Sequence, residues 1–158
     1  MPLNEGMEAP DFELTTSNGD KFRLSDYKGK FVILYFYPRA LTSGCTREGI
    51  RFNELYDEFK KLNAEIFGIS SDPIERNKKF AEKYGFRFPL LSDPDGKIIK
   101  LYKVKKENTS SLSAERTTYI IDPIRIIVKV LYNLRPAEKH ADQSLVEVRK
   151  LLNRNETY

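Results

Sequence analysis

The sequence predicts an α/β fold in which helices flank a mixed central β-sheet and an N-terminal β-hairpin precedes them. Alternating apolar and polar residues on both sides of Asn18-Gly19 indicate the hairpin. The unbroken apolar run 31–37 indicates a strand buried on both faces, and amphipathic patterns of helical period separate it from later strands. The length of 158 residues fits one compact domain, which we expect to span residues 1–158.

The middle of the chain predicts a β-α-β unit, which implies a parallel pair of strands. A loop over 38–44 follows the first buried strand and leads to an amphipathic helix over about 46–62. The apolar segment 65–70 predicts the second buried strand. After it, Ser71-Asp72-Pro73 predicts a helix cap with Pro73 at the first helical position, and Gly85 predicts the end of that helix.

The last third of the chain predicts shorter elements. Residues 88–92 indicate a short edge strand, a turn and a short basic helix follow, and 108–113 form a polar loop. Strands over 117–121 and 124–132 predict an antiparallel hairpin before a final amphipathic helix. This order of elements corresponds to a thioredoxin-like fold with an N-terminal hairpin and a middle insertion.

The composition argues against several classes of protein. The net charge of +4 comes from scattered basic residues rather than a dense patch, which argues against a nucleic-acid surface. No apolar run approaches the roughly 20 residues that span a membrane, and the N-terminal residues predict no signal peptide. One cysteine and one histidine exclude an internal disulfide and a Cys/His zinc cluster. We expect a cytoplasmic protein without a metal or organic cofactor.

The single cysteine, Cys45, is the candidate reactive group. It follows a buried strand and a loop, at the first turn of the next helix, and in open α/β sheets this edge binds ligands. The free N–H groups and the dipole of a helix N-terminus favour a thiolate over a thiol. A thiolate attacks one oxygen of a peroxide and displaces the other. The position of Cys45 therefore predicts a nucleophile.

The residues before Cys45 suit the same chemistry. The Thr42 hydroxyl can accept a hydrogen bond from one side and donate one to the other, so it can hold a peroxide beside the sulfur. Pro38 would shield the thiolate from bulk water, and Gly44 would permit close approach of the backbone to the sulfur. We therefore expect Pro38, Thr42 and Gly44 to surround the thiol.

Pro38, Thr42 and Cys45 form the pattern Pro-x-x-x-Thr-x-x-Cys, which resembles the active-site motif of peroxiredoxins. The chain also resembles the peroxiredoxin Q branch, or bacterioferritin comigratory proteins, over nearly its whole length, in the segments 9–14, 35–38, 44–48, 68–72, 88–96 and 116–122. The resemblance implies a peroxidase that reduces hydrogen peroxide or an alkyl hydroperoxide. It also implies that Arg116 lies near the sulfur, where a permanent cation stabilises a thiolate and donates to the peroxide.

The chain departs from the family at two positions. Ser43 stands where relatives usually have proline, and Ile50 stands where many have a second cysteine, which resolves the first. Positions 45 and 50 are about 140° apart around a helix, so a bridge between them requires local unwinding. The sulfenic acid formed on Cys45 is then reduced by an external thiol or by Cys45 of another molecule. The sequence leaves open whether Ile50 is natural or an engineered replacement.

The expected partners are a peroxide and an external thiol reductant such as a thioredoxin-like protein, without nucleic acid or membrane, and the expected assembly is a monomer or weak homodimer. A dithiol oxidoreductase would need Cys-x-x-Cys, but Thr42 stands three residues before Cys45. A non-enzymatic redox sensor would share the fold without needing Thr42 and Arg116. His140, the only histidine, is predicted as a surface or capping residue rather than a catalytic base.

Overall fold

The computed structural model describes residues 1–154, so the end of the predicted domain, 155–158, lies outside the described residues. The strands are β1 (Glu13–Thr16), β2 (Lys21–Arg23), β3 (Phe31–Phe36), β4 (Ala64–Ser70), β5 (Leu90–Ser92), β6 (Thr117–Ile121) and β7 (Ile127–Tyr132). The α-helices are α1 (Ser43–Glu54), α2 (Tyr56–Lys61), α3 (Ile74–Tyr84), α4 (Lys97–Leu101) and α5 (Lys139–Arg154).

The strands form one sheet in the order β2-β1-β5-β4-β3-β6-β7. β4 lies between β3 and β5 and is parallel to both, as the β-α-β pattern predicts. The N-terminal hairpin β1–β2 joins antiparallel to β5, and the hairpin β6–β7 joins antiparallel to β3. The predicted α/β fold with a mixed central sheet, flanking helices and an N-terminal hairpin is confirmed.

The prediction of an edge strand at 88–92 is wrong. β5 is an interior strand, because β1 folds back beside it and pairs Thr15 with Ser92 and Thr16 with Leu91. All three residues of β5 are consequently buried. The sequence pattern missed this pairing because β1 lies more than seventy positions earlier in the chain.

Two predicted helix boundaries also need correction. The single helix expected over 46–62 is divided, because Leu55 has φ −92° and ψ 4° and separates α1 from α2. Pro73 is the N-cap residue of α3 with an extended backbone, so the helix begins at Ile74. Gly85 ends α3 in the left-handed conformation, as predicted. In the described part of the chain, no helix is long and apolar enough to cross a membrane.

The core lies on both faces of the sheet, which explains the unbroken apolar run of β3. Ile33 and Tyr35 point into the cluster that packs under α1, α3 and α5, whereas Leu34 and Phe36 point into the cluster on the opposite face. Cys45 belongs to the first of these clusters. The thiol is therefore packed against core residues at the end of the central strand.

Candidate active site

Cys45 is the third residue of α1, in the first helical turn, as the sequence predicts. Thr42 is the N-cap residue, and its carbonyl accepts the first helical hydrogen bond from the Thr46 N–H at 2.9 Å. The Cys45 residue is only 2% exposed. A thiol in the first turn of a helix lies close to the unpaired backbone N–H groups of the helix N-terminus.

Arg116 contacts the thiol directly. It precedes β6, which pairs with β3 so that Thr117 lies opposite Phe36, and the two strands thus bring Arg116 to the end of β3. Its Nη2 lies 3.6 Å from Cys45 Sγ and can donate a hydrogen bond to it. Gly44 makes this approach possible, because a Cβ at that position would lie 3.0 Å from Nη2.

The site contains a carboxyl group to which sequence reasoning assigned no role. Glu48 Oε1 accepts a hydrogen bond from Arg116 Nη1 at 2.5 Å, and the Glu48 side chain is fully buried. Burial raises the pKa of Glu48 to about 8, against the opposing effect of Arg116. Burial would lower the pKa of Arg116, but Glu48 and Cys45 together raise it, so the guanidinium stays cationic. Arg116 is thus held between the thiol and the carboxyl group.

The spacing of Glu48 from its neighbours in the sequence is sufficient to place it on the buried face of α1. It lies three residues after Cys45 and four before Phe52, on the stripe of α1 that faces the core. A carboxylate on the apolar face of a helix needs a buried partner. That partner is Arg116, which is 68 positions away and is not identifiable from the spacing alone.

Among the described residues, neither Thr42 nor Pro38 forms a hydrogen bond with the sulfur. The Thr42 hydroxyl is exposed and donates to the Arg39 carbonyl at 2.7 Å, and no hydrogen bond among the described residues joins it to Cys45. Pro38 is half-buried, and its carbonyl accepts a hydrogen bond from Ser113 Oγ at 2.8 Å. Pro38 lines an open groove of about 460 Å³ together with Arg116, whose Nη2 contacts the sulfur. Their roles in the reaction remain predictions.

Ser43 and Ile50, the two departures from the family pattern, lie on the outer face of α1. The Ser43 hydroxyl accepts a hydrogen bond from Arg47 Nη1 at 2.5 Å. Ile50 is 36% exposed, whereas Cys45 is buried, so the two positions face different directions as the helical geometry predicts. Residue 50 is therefore remote from the sulfur while α1 is folded.

His140 is buried, so its prediction as a surface or capping residue is wrong. Its Nε2 accepts a hydrogen bond from the Leu134 N–H at 3.1 Å, which assigns the ring proton to Nδ1, 2.8 Å from Thr118 Oγ1. Burial, with a smaller effect of Arg116, lowers the pKa of His140 to about 3. The neutral ring ties β6 and the loop after β7 to α5.

Comparison with known proteins agrees with this geometry. Residues 6–130 match the AhpC/TSA family. Peroxiredoxin Bcp of Bacillus subtilis (strain 168) is 39% identical over 133 residues, which cover 82% of this chain and 85% of that protein. The structure of peroxidoxin BcpB from Mycobacterium tuberculosis superposes with a TM-score of 0.89 at 36% identity, covering 94% of this chain and 98% of that chain.

A further structure, of the bacterioferritin comigratory protein from Xanthomonas campestris, has a TM-score of 0.86 at 33% identity and covers 94% of this chain and 99% of that chain. The structures of that protein concern its alkyl peroxide reduction activity. The predicted resemblance is confirmed. The chain belongs to the AhpC/TSA family, in the peroxiredoxin Q and bacterioferritin comigratory branch, and is a one-cysteine, thiol-dependent peroxidase.

Proposed function

We propose that Cys45 is the peroxide-attacking nucleophile of this peroxidase and that Arg116 stabilises the charge that moves during the attack. The observation that carries the proposal is the 3.6 Å approach of Arg116 Nη2 to Cys45 Sγ. A guanidinium is always charged and presents several donors in a rigid plane, so it can bind the thiolate and a peroxide oxygen together. Glu48 holds the other side of the guanidinium and fixes its orientation.

The reaction is a displacement at oxygen. The Cys45 thiolate attacks the hydroxyl oxygen of ROOH, an S–O bond forms, and the O–O bond breaks. The leaving RO⁻ takes a proton and departs as an alcohol, or as water when the substrate is hydrogen peroxide. The sulfur loses two electrons and becomes a sulfenic acid. Arg116 acts where negative charge passes from sulfur to the leaving oxygen.

We assign hydrogen peroxide and alkyl hydroperoxides as substrates. The open groove lined by Pro38 and Arg116 provides space for the organic group of ROOH. The alkyl peroxide reduction activity of the Xanthomonas relative supports this substrate class. In this proposal Thr42 orients the peroxide hydroxyl, Pro38 limits access of water, and Gly44 leaves room for the Arg116 guanidinium.

The sulfenic acid is resolved from outside the chain. Cys45 is the only cysteine, and Ile50 occupies the position of a resolving residue. An external thiol condenses with the sulfenic acid to a mixed disulfide and water, and a second thiol then regenerates Cys45. A thioredoxin-like protein or a small thiol fits this role. A single domain, a monomer or weak homodimer, and a reducing location such as the cytoplasm complete the proposal.

The test is reaction of the reduced protein with stoichiometric peroxide at low thiol, followed by stopped-flow measurement and intact mass. Rapid gain of one oxygen, or of a reducible dimer, supports the proposal, and Cys45→Ser is the control that should gain neither. Oxidation no faster than that of an ordinary thiol would refute it. Continued turnover with added thiol separates the enzyme from a redox sensor, which would be oxidised without efficient turnover.

A further inference from the structure

The loop between β3 and α1 is held at Ala40 from both sides. Ala40 is fully buried, and its N–H donates to Asp72 Oδ2 at 2.7 Å. Its carbonyl accepts a hydrogen bond from Arg76 Nη2 at 2.8 Å. Arg76 Nε and Asp72 Oδ1 form an ion pair at 3.1 Å, which joins the two contacts. We call Asp72 and Arg76 the Ala40 clamp.

The next residue, Leu41, has a strained backbone. Its φ is +67°, in the left-handed region that a leucine rarely adopts. Such a conformation persists only where the surrounding structure holds it, and it is common at functional sites. Leu41 also packs against the core cluster that contains Cys45. The strained residue therefore joins the clamped Ala40 to Thr42, the N-cap residue of α1.

The clamp rests on a buried polar network that also fixes the start of the loop. Asp72 Oδ2 accepts a second hydrogen bond from Ser70 Oγ at 2.7 Å, and Ser70 contacts Asn77. Asn77 Oδ1 accepts a hydrogen bond of 2.5 Å from the hydroxyl of Tyr37, the residue before Pro38. Buried, fully paired networks of this kind are rigid. Both ends of the segment that carries Pro38 and Thr42 are thus attached to the start of α3.

We propose that Asp72 and Arg76 are positioning residues for peroxide reduction. By holding Ala40 they keep Leu41 in the left-handed conformation, and this conformation sets where Pro38 and Thr42 lie relative to the thiol. This inference rests on the proposed role of Cys45. Among the described residues, no hydrogen bond or ion pair joins the clamp to Cys45 or Arg116, so the clamp acts through the loop.

The first test compares Asp72→Ala with Asp72→Asn, and Arg76→Met with Arg76→Lys. Because small misplacements of reacting groups are costly, Asp72→Ala should lower the second-order rate with hydrogen peroxide about tenfold, and Arg76→Met should lower it about fivefold. The conservative variant Asp72→Asn keeps an acceptor and should retain the rate within about threefold. Glu75→Ala, at an exposed position of α3, is the matched control.

A second measurement distinguishes positioning from general damage. Alkylation of Cys45 by iodoacetamide needs a thiolate but no aligned peroxide, so it should change less than about twofold in each variant. Leu41→Gly removes the strain, because glycine adopts positive φ freely. When Asp72→Ala is added to Leu41→Gly, the peroxide rate should fall less than about threefold, because the loop then needs less restraint.

Hydrogen exchange of the Ala40 and Leu41 amides tests the restraint itself, independently of activity. Exchange should accelerate at least about tenfold in Asp72→Ala and remain unchanged in Glu75→Ala. A folded Asp72→Ala protein with wild-type peroxide rate, or with equal losses in peroxide rate and alkylation, would overturn the proposal. So would unchanged amide exchange. A wild-type protein that reacts like a free thiol, with the exchange result as expected, would instead refute the role of Cys45. If Asp72→Ala does not fold, the Arg76 pair of variants decides by the same readouts.

Discussion

The backbone of Gly44 lies against the guanidinium of Arg116, and a Cβ on Gly44 would be 3.0 Å from Nη2. The glycine is therefore required by a side chain that is distant in sequence, since Gly44 lies in the regular helix α1. The space left by the missing Cβ is what allows the guanidinium to reach Cys45 Sγ.

Gly44→Ala should separate stability from activity. Alanine favours the helix by about 0.5–1 kcal/mol relative to glycine, so the melting temperature should rise or stay constant. The new methyl group would displace the guanidinium by a few tenths of an ångström, and the peroxide rate should fall about tenfold. Thermal unfolding and stopped-flow kinetics measure the two effects, with Ser43→Ala as the neighbouring control. An unchanged peroxide rate would show that the Gly44–Arg116 contact is unimportant.

Arg116→Lys should reduce the peroxide rate about 100-fold although it preserves the charge, because an ammonium cannot contact Cys45 and Glu48 in one plane. Arg135→Lys changes another arginine of the same groove, one that has no hydrogen bond to Cys45 or Glu48 among the described residues, and should leave the rate within about twofold. Stopped-flow kinetics with hydrogen peroxide measure both. Retention of more than half the rate in Arg116→Lys would mean that charge alone suffices.

Two replacements of Glu48, by glutamine and by alanine, should affect the peroxide rate differently. Burial raises the pKa of this carboxyl group to about 8, so loss of its charge is tolerated at this position, and glutamine keeps an oxygen that can accept from Arg116 Nη1. Glu48→Gln should therefore retain the peroxide rate within about threefold, whereas Glu48→Ala, which frees the guanidinium, should lose about tenfold. The comparison is made at pH 7. Equal rates in the two variants would contradict an orienting role.

His140 should make folding sensitive to acid. Its pKa in the folded protein, about 3, is below the unfolded value of about 6.5, so its stabilising contribution is complete above pH 6.5 and falls as the pH decreases. Between pH 7.5 and pH 5 this amounts to about 2 kcal/mol of unfolding free energy. His140→Asn should be less stable at pH 7.5 but lose about 2 kcal/mol less on acidification. Denaturant unfolding at pH 7.5 and pH 5 measures this difference. Equal losses of unfolding free energy in the wild-type protein and in His140→Asn would argue against a neutral His140 ring.

Ile50→Cys should test how firmly α1 is held. Five residues of helix place positions 45 and 50 at least about 7.5 Å apart, beyond the Cα separation that a disulfide accepts. Two ion pairs hold α1: Arg51–Asp142 at 2.8 Å joins it to α5, and Arg47–Glu138 at 3.3 Å joins it to the residue before α5. The disulfide can therefore form only when α1 unwinds, so peroxide should produce it in Ile50→Cys with a loss of helical circular dichroism. The disulfide should form more quickly when Arg51→Ala removes one of the ion pairs. Ile50→Ser is the control. A disulfide formed without loss of helix would contradict the expectation.

Local sequence patterns predicted the central strand and the position of the reactive thiol. The run 31–37 predicted the central strand, because a strand covered on both faces has no polar positions, and β3 is buried throughout. The order of buried strand, loop and amphipathic helix predicted a thiol in the first turn of that helix, which is where Cys45 lies. These features depend on neighbours in the chain, so a sequence pattern is sufficient to identify them.

Contacts between distant segments were decided only by the tertiary structure. β5 is an interior strand because it pairs with β1, Glu48 pairs with Arg116 immediately before β6, and His140 is buried against Thr118. No local periodicity encodes such partners, because sheet pairing and buried polar contacts join positions that are tens of residues apart. The sequence by itself therefore determined that Cys45 lies at a helix N-terminus, and its resemblance to a family implied that Arg116 lies nearby. The packing of β6 against β3 is the physical reason that the guanidinium reaches the sulfur.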